Sequence, residues 1–136
     1  MKWPGRGCAL SDDTPGILWV KAIHDYNAAE KLLDSDPEIV GDQVFGLLLQ
    51  QSVEKSIKSL LWRKKLRYSR IHNVSVLLDT LSKAIDISPG FEKLRGLTMY
   101  ASTERYESPL SPHRLDRRGL LDLVREFLSL LDRETW

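Results

Sequence analysis

Several features that define other protein classes are scarce or missing in this chain. The 136 residues include one cysteine, Cys8, which excludes an intrachain disulfide and is typical of a reducing, cytoplasmic setting. No apolar run approaches the roughly 18 residues that a membrane-spanning helix requires. The amino-terminal segment MKWPGRGCALSDDTPG lacks the apolar stretch of a signal peptide. The chain is therefore predicted to be a cytoplasmic globular protein with no membrane association.

An excess of charge of one sign is also missing. Twenty Lys and Arg residues balance nineteen Asp and Glu residues, which gives a net charge of +1. A polyanion would therefore have to be attracted by a local patch. His24, His72 and His113 are scattered and one cysteine adds little, so no metal site and no cofactor are predicted. No glycine-rich phosphate loop or nucleophile elbow is present.

Hydrophobic periodicity predicts an all-α protein of five helices and no strands. The expected spans are 17–33, 38–65, 74–85, 89–106 and 115–133. The length suits one domain, with residues 1–15 as a flexible amino-terminal arm and 16–136 as the helical domain. Short links favour antiparallel neighbours. The predicted architecture is an antiparallel four-helix bundle with an additional carboxy-terminal helix.

Small and polar residues mark particular places on these helices. Ser52, Ser56 and Ser59 lie beside the apolar stripe of the second helix, where we expect the backbone of the first helix to approach near Ala28 and Ala29. Pro37 is expected to open the second helix and Asn73 to cap the third.

Four segments carry a resemblance to a known family. They are Asp25–Leu33 in the first helix, the run QQSVEKSIKSLL in the second, His72–Leu78 at the entry to the third, and Tyr100–Tyr106 in the fourth. In order and spacing they resemble the HEPN family (higher eukaryotes and prokaryotes nucleotide-binding domain), and the similarity covers nearly the whole domain.

The resemblance implies a helical bundle that often forms homodimers and is often encoded beside a minimal nucleotidyltransferase. It implies an RNA- or nucleotide-binding module, the toxin-side partner of such a nucleotidyltransferase, with metal-independent endoribonuclease activity. The alternative is a non-catalytic dimeric module that binds proteins.

The family's nuclease motif does not transfer directly. RNase members carry an arginine and a histidine near the fourth helix, separated by four to six variable residues. In this chain seven residues separate Arg105 from His113. Arg67 and His72 are separated by four residues, but they precede the third helix. Family toxins that are regulated by a nucleotidyltransferase have a tyrosine two positions after the histidine, and the residue two positions after His72 is Val74.

The turn after the second helix, here called the basic elbow (residues 63–70), concentrates positive charge beside Trp62 and Tyr68. Cations bind phosphates and aromatic faces stack bases, so this pairing suits single-stranded RNA or a nucleotide. Alternatively, the cations only complement the helix dipole. A second basic cluster begins the fifth helix and either joins the elbow or is a solvated helix start. The candidate phosphate-binding residues are Arg63, Lys64, Lys65, Arg67, Arg70, His113 and Arg114.

Two residues are candidates for catalysis. His72 has the side chain for general acid–base chemistry, or it is a helix-entry residue that bonds to backbone groups. Arg105 occupies the place of a cleft arginine in the family, or it forms an ion pair with Glu54 or Asp25. Asp25, Glu54 and Lys58 are predicted to form a polar network along the cleft, because Glu54 and Lys58 have the spacing of a helical ion pair.

Overall fold

The prediction of an all-α fold is confirmed by a computed structural model, which describes residues 14–68, 72–101 and 115–135. Within these ranges the chain forms five helices and no strand. They are α1 (Thr14–Lys31), α2 (Asp42–Arg63), α3 (Val74–Ser82), a 3₁₀ helix (Pro89–Ala101) and α4 (Arg117–Thr135). Helix α2 contacts all four of the others and is the centre of the bundle.

The apolar stripes predicted from periodicity form one continuous core. Its largest members are fully buried aromatic side chains, Trp19, Tyr26, Phe45 and Phe127. Phe127 of α4 meets Phe91 edge to face, with ring centroids 5.3 Å apart. Each such side chain contributes about 1.5–3 kcal/mol when it leaves water. No helix in the described ranges combines the length and apolar character needed to cross a bilayer.

Helices α1 and α2 approach each other closely along the serines of α2. Ser52 Oγ donates to the Ala22 carbonyl at 2.7 Å, and Ser59 Oγ donates to the Pro15 carbonyl at 2.6 Å. The predicted backbone approach is therefore present, with different partners from those expected. Ala29 is buried at this seam, but Ala28 is exposed because the helix turns it toward solvent.

Helix boundaries differ from the predicted ones at the first connection. Helix α1 is already formed at Thr14, the first described residue, three positions before the expected start, and residues 1–13 of the expected arm lie outside the described part of the chain. The prediction that Pro37 opens the second helix is wrong. The N–H groups of Ile39 and Val40 both donate to the Asp36 carbonyl, which closes a separate turn. Gly41 is then extended, with φ −62° and ψ 152°, and α2 starts after it.

The fourth helix is a 3₁₀ helix over its described length rather than an α-helix. Its buried residues, Phe91, Leu94 and Leu97, follow one another at intervals of three. This interval matches the three residues per turn of a 3₁₀ helix and therefore keeps all three on one face.

The start of the third helix agrees with the prediction, because the Asn73 side chain accepts from the Val76 N–H at 3.2 Å and caps α3. That helix ends at Ser82, three residues earlier than predicted.

Arg117 joins the start of α4 to the connection between α1 and α2. Only 7% of this residue is exposed. Its Nε donates to Asp42 at 2.8 Å, and its terminal nitrogens donate to the carbonyls of Leu32 at 2.9 Å and Val40 at 2.5 Å. The guanidinium also lies 5.2 Å from the Phe45 ring centroid. Arg117 is thus a structural clamp. It belongs to the second basic cluster (residues 113–118), which the sequence predicted either to join the elbow or to be a solvated helix start.

Candidate functional site

The basic elbow begins with a compact helix ending. The Lys65 N–H donates to the Trp62 carbonyl at 2.9 Å, and the Leu66 N–H donates to the Leu61 carbonyl at 2.8 Å. This pair of bonds is a Schellman motif, which requires a left-handed residue at its centre. Lys65 occupies that position with φ 58°. A non-glycine residue in this conformation costs roughly 1 kcal/mol, so the backbone at Lys65 is locally strained.

An open groove of about 830 Å³ lies between this elbow and the start of α1. Trp62 is 48% exposed and Leu66 is 41% exposed, which is unusual for such large apolar side chains. The groove therefore combines an accessible aromatic surface with positive charge. Its lining consists of three cations, two aromatic residues, two leucines and a threonine: Lys58, Lys65, Arg67, Trp62, Tyr68, Leu18, Leu66 and Thr14.

The predicted phosphate-binding residues are distributed unevenly around this groove. Lys65 and Arg67 line it. Lys64 is exposed but is not among the lining residues, and Arg63 is half-buried. Four further predicted site residues lie outside the described residues, namely Arg70, Arg105, His113 and Arg114.

Glu54 is a buried carboxylate that receives three hydrogen bonds next to the groove. Lys58 Nζ lies 2.7 Å and His72 Nδ1 lies 2.6 Å from Oε1, while Gln50 Nε2 donates to Oε2 at 2.7 Å. Lys58 also lines the groove, with its Nζ 6.0 Å from the Tyr68 ring centroid. Glu54 therefore connects the groove to the entry of α3.

The charge of Glu54 is maintained by its donors. Burial acts to raise the pKa of this carboxyl, but the hydrogen bonds from Lys58, His72 and Gln50 outweigh burial and lower the pKa below 4.5. The carboxylate is thus ionised near neutral pH and acts only as a hydrogen-bond acceptor.

Asp25 does not join this network. Its Oδ2 lies 2.6 Å from Lys55 Nζ, and both side chains are partly exposed. Lys55 follows Glu54 directly in α2, and successive helical residues point about 100° apart. Of the three residues predicted to form one network, only Glu54 and Lys58 bond to each other.

A second cleft, of about 590 Å³, lies between the start of the 3₁₀ helix and α4. Its arginines, Arg125 and Arg133, are balanced by Asp86 and Glu126 in the same lining. It therefore lacks the net positive charge of the groove. Among the described residues, no three His, Cys, Asp or Glu side chains come together as metal ligands.

Sequence reasoning missed three parts of the site. Leu18 was predicted only as a residue of the first helix and Leu66 only as part of the elbow, because nothing local indicates that the elbow folds back toward α1. The bond between His72 and Glu54 joins residues 18 positions apart and has no periodic signal. His72 was expected to bond to backbone groups if structural, yet its ring binds a side chain.

Comparison with known proteins gives one match. The family model described as HEPN domain matches residues 17–134, which is most of the chain. No curated protein and no solved structure matches.

Proposed function

Because this chain belongs to the HEPN domain family, we propose that it binds single-stranded RNA, or a nucleotide, in the groove beside the basic elbow. The observation that carries the proposal is the exposed Trp62, flanked by Lys58, Lys65 and Arg67 in one groove. Lysine and arginine neutralise phosphates, while an indole face stacks a base of any sequence. Such a site binds an unpaired strand in preference to a duplex, because the bases must be free to stack.

The binding test uses fluorescence anisotropy of a short labelled single-stranded RNA. Trp62→Ala is expected to weaken binding about tenfold, since stacking contributes roughly 1–3 kcal/mol per base. Arg67→Glu is also expected to weaken it. Lys93→Glu is the matched control, because Lys93 is exposed on the 3₁₀ helix and lies outside the groove lining. Equal binding by wild type, Trp62→Ala and Arg67→Glu would rule out this groove.

Lys65 provides a more discriminating variant. Glycine adopts the left-handed conformation without strain, so Lys65→Gly is expected to raise the free energy of unfolding by about 1 kcal/mol. It also removes a groove cation, so RNA affinity is expected to fall. A more stable protein that binds RNA less tightly excludes damage to the fold as the cause. An unchanged affinity for Lys65→Gly would remove Lys65 from the site.

We extend the proposal to metal-independent cleavage of the bound RNA, with His72 as the acid–base residue and Arg105 as a second participant. The support is the position of His72 beside Lys58, through their shared bonds to Glu54. The assay is cleavage of labelled RNA in the presence of EDTA. If wild type cleaves and both His72→Ala and Arg105→Ala cleave at the full rate, this assignment is wrong.

The partnership implied by the family is part of the proposal. We place the protein in the cytoplasm as a homodimer and as the toxin-side partner of a minimal nucleotidyltransferase. Sedimentation that detects only a 15.6 kDa species at tens of micromolar would contradict the dimer.

A second candidate is the non-catalytic interaction module. The observation that favours it is the exposure of Ile39, at 81%, and Val44, at 49%, near the connection between α1 and α2. Both residues lie outside the groove lining. This candidate predicts that Ile39→Asp weakens binding to a protein partner and that Trp62→Ala does not, whereas RNA binding in the groove is expected to respond to Trp62→Ala and not to Ile39→Asp.

A further inference from the structure

The hydrogen bond between His72 and Glu54 is not needed to satisfy the buried carboxylate. Gln50 and Lys58, both from α2 itself, already occupy one oxygen each. His72 comes from the entry to α3, and 76% of its side chain is exposed. Its ring therefore contributes little burial, and the bond has a greater effect on the histidine than on the fold.

The bond determines which ring nitrogen carries the proton. Glu54 is ionised and has no hydrogen to donate, so the hydrogen in the 2.6 Å contact must belong to Nδ1 of His72. A neutral imidazole has a single N–H. The unprotonated nitrogen is then Nε2, on the other side of the ring and able to accept a proton.

The same oxygen of Glu54 binds both His72 and Lys58, so the histidine is linked to the groove through this lysine, although His72 is not itself a lining residue. Lys58 Nζ and His72 Nδ1 both bind Oε1, at 2.7 and 2.6 Å. Lys58 in turn lines the groove. A phosphate near Lys58 would therefore lie close to the imidazole, and the ring orientation would be set before the ligand arrives.

We propose that Glu54 is a positioning residue that holds His72 in the Nδ1–H tautomer and leaves its Nε2 free to accept a proton, on a ring that shares the Glu54 oxygen with Lys58 of the groove. The tautomer is a property of the protein alone, whereas the proton acceptor's role in chemistry rests on the proposed function.

For RNA the proton movement is balanced. The 2′-hydroxyl proton passes to Nε2 as the O2′–P bond forms. The P–O5′ bond breaks with its electron pair on O5′, which takes a proton from water, and the resulting hydroxide takes the proton from His72. The products are a cyclic phosphate and a 5′-hydroxyl, and the enzyme is restored.

The tautomer can be measured directly on the full chain by long-range ¹H–¹⁵N correlation of ¹⁵N-labelled histidines. Spectra are recorded at alkaline pH, in the range where the His72 signals no longer change, and His72→Gln identifies those signals by their loss. Wild type is expected to show a protonated Nδ1 and an unprotonated Nε2 at His72. His24, exposed on α1, is the internal reference, because an unconstrained ring favours the Nε2–H form.

Variants at Glu54 separate positioning from folding. Glu54→Gln keeps an oxygen that accepts the Nδ1–H and is expected to retain the tautomer, whereas Glu54→Ala is expected to shift His72 toward the His24 pattern. If Glu54→Ala does not fold, the wild-type spectrum decides by itself. A predominantly Nε2–H form of His72 in wild type overturns the inference, as does an unchanged tautomer in folded Glu54→Ala.

Function is tested separately in the same samples. His72→Ala is expected to bind RNA within twofold of wild type and to cleave it at least a hundredfold more slowly, while His24→Ala is the matched control and changes neither. Absence of RNA binding with the Nδ1–H tautomer intact overturns the proposed function and supports the assignment of Glu54. RNA binding with the Nε2–H tautomer overturns the assignment alone.

Discussion

At the scale of single residues, Glu54 makes the stability of the protein depend on pH. Its carboxyl is buried, yet its donors keep its pKa below 4.5, the ordinary value that applies in the unfolded chain. A group with a lowered folded pKa contributes stability above its unfolded pKa and loses that contribution as the pH falls through the folded one. The contribution is therefore complete near neutral pH and declines below about pH 4.5.

We accordingly expect Glu54→Gln to reduce the free energy of unfolding by about 2 kcal/mol at pH 7, as for a lost bond to a charged group. The deficit relative to wild type should shrink as the pH falls below 4.5. Urea denaturation at several pH values measures it. Glu134→Gln, exposed near the end of α4, is the control. A deficit that is the same at every pH would contradict the role given to the charge.

Two glycines are expected to respond oppositely to the same substitution. A Cβ at Gly46 would lie 2.7 Å from the Tyr100 ring, whereas a Cβ at Gly96 would meet no atom within 4 Å. Overpacking costs about 1–3 kcal/mol, so Gly46→Ala is expected to destabilise the protein. Gly96→Ala restricts only the unfolded chain and should stabilise it by about 0.4–1 kcal/mol. Thermal denaturation of the pair is the measurement, and stabilisation by both would show that the Tyr100 ring yields freely.

At the scale of secondary-structure elements, the attachment of α4 depends on Arg117. Removing this side chain takes a donor from the Val40 carbonyl and one donor each from Asp42 and the Leu32 carbonyl, which keep bonds from Leu115 and Ser35. A lost hydrogen bond to a charged group costs about 1.5–3 kcal/mol, and 26% of the Asp42 side chain is exposed, so the cost stays below that of a fully buried pair. Arg117→Ala is therefore expected to destabilise the protein by about 2–3 kcal/mol, measured by chemical denaturation.

The neighbouring Arg118 is the control for this prediction, because it is exposed and has the same charge and position in the helix. Arg118→Ala should change the free energy of unfolding by less than about 0.5 kcal/mol. Similar effects of the two substitutions would mean that only the charge near the start of α4 matters.

The elements themselves were largely predictable, because helical periodicity is a local property of the sequence. The stripe of α3 and its Asn73 cap, for example, require no knowledge of the rest of the chain. The turn before Gly41 and the 3₁₀ helix were missed, although the interval of three between Phe91, Leu94 and Leu97 did indicate the latter. The contacts of Arg117 and His72 were not predictable, since they join segments that only the tertiary fold brings together.

At the scale of the whole molecule, positive charge is local rather than global. The net charge is +1, so long-range attraction of RNA is weak and the phosphate contacts must come from groove cations. The described groove contains three, Lys58, Lys65 and Arg67, and the charge of Lys58 is already balanced by Glu54, which leaves Lys65 and Arg67 for phosphates. Each phosphate that is neutralised on a single strand makes the slope of log affinity against log salt concentration steeper by about 0.7.

The logarithm of RNA affinity is therefore expected to fall with the logarithm of salt concentration with a slope of about −1.4, from the two phosphate contacts of Lys65 and Arg67. Arg67→Ala should make that slope shallower by about 0.7, because one phosphate contact is lost. Lys93→Ala should leave it unchanged. Anisotropy titrations over a series of KCl concentrations provide the slopes, and a slope near zero for wild type would mean that binding does not involve phosphates.

The clamp made by Arg117 also has a consequence for synthesis. Its bonds to Asp42, Leu32 and Val40 span 75, 85 and 77 positions of the chain. On the ribosome, α1 and α2 are synthesised long before Arg117, so their connection cannot form its bonds to Arg117 until α4 has emerged. A nascent chain that still lacks α4 is therefore an incompletely closed bundle, exposed to proteases and chaperones.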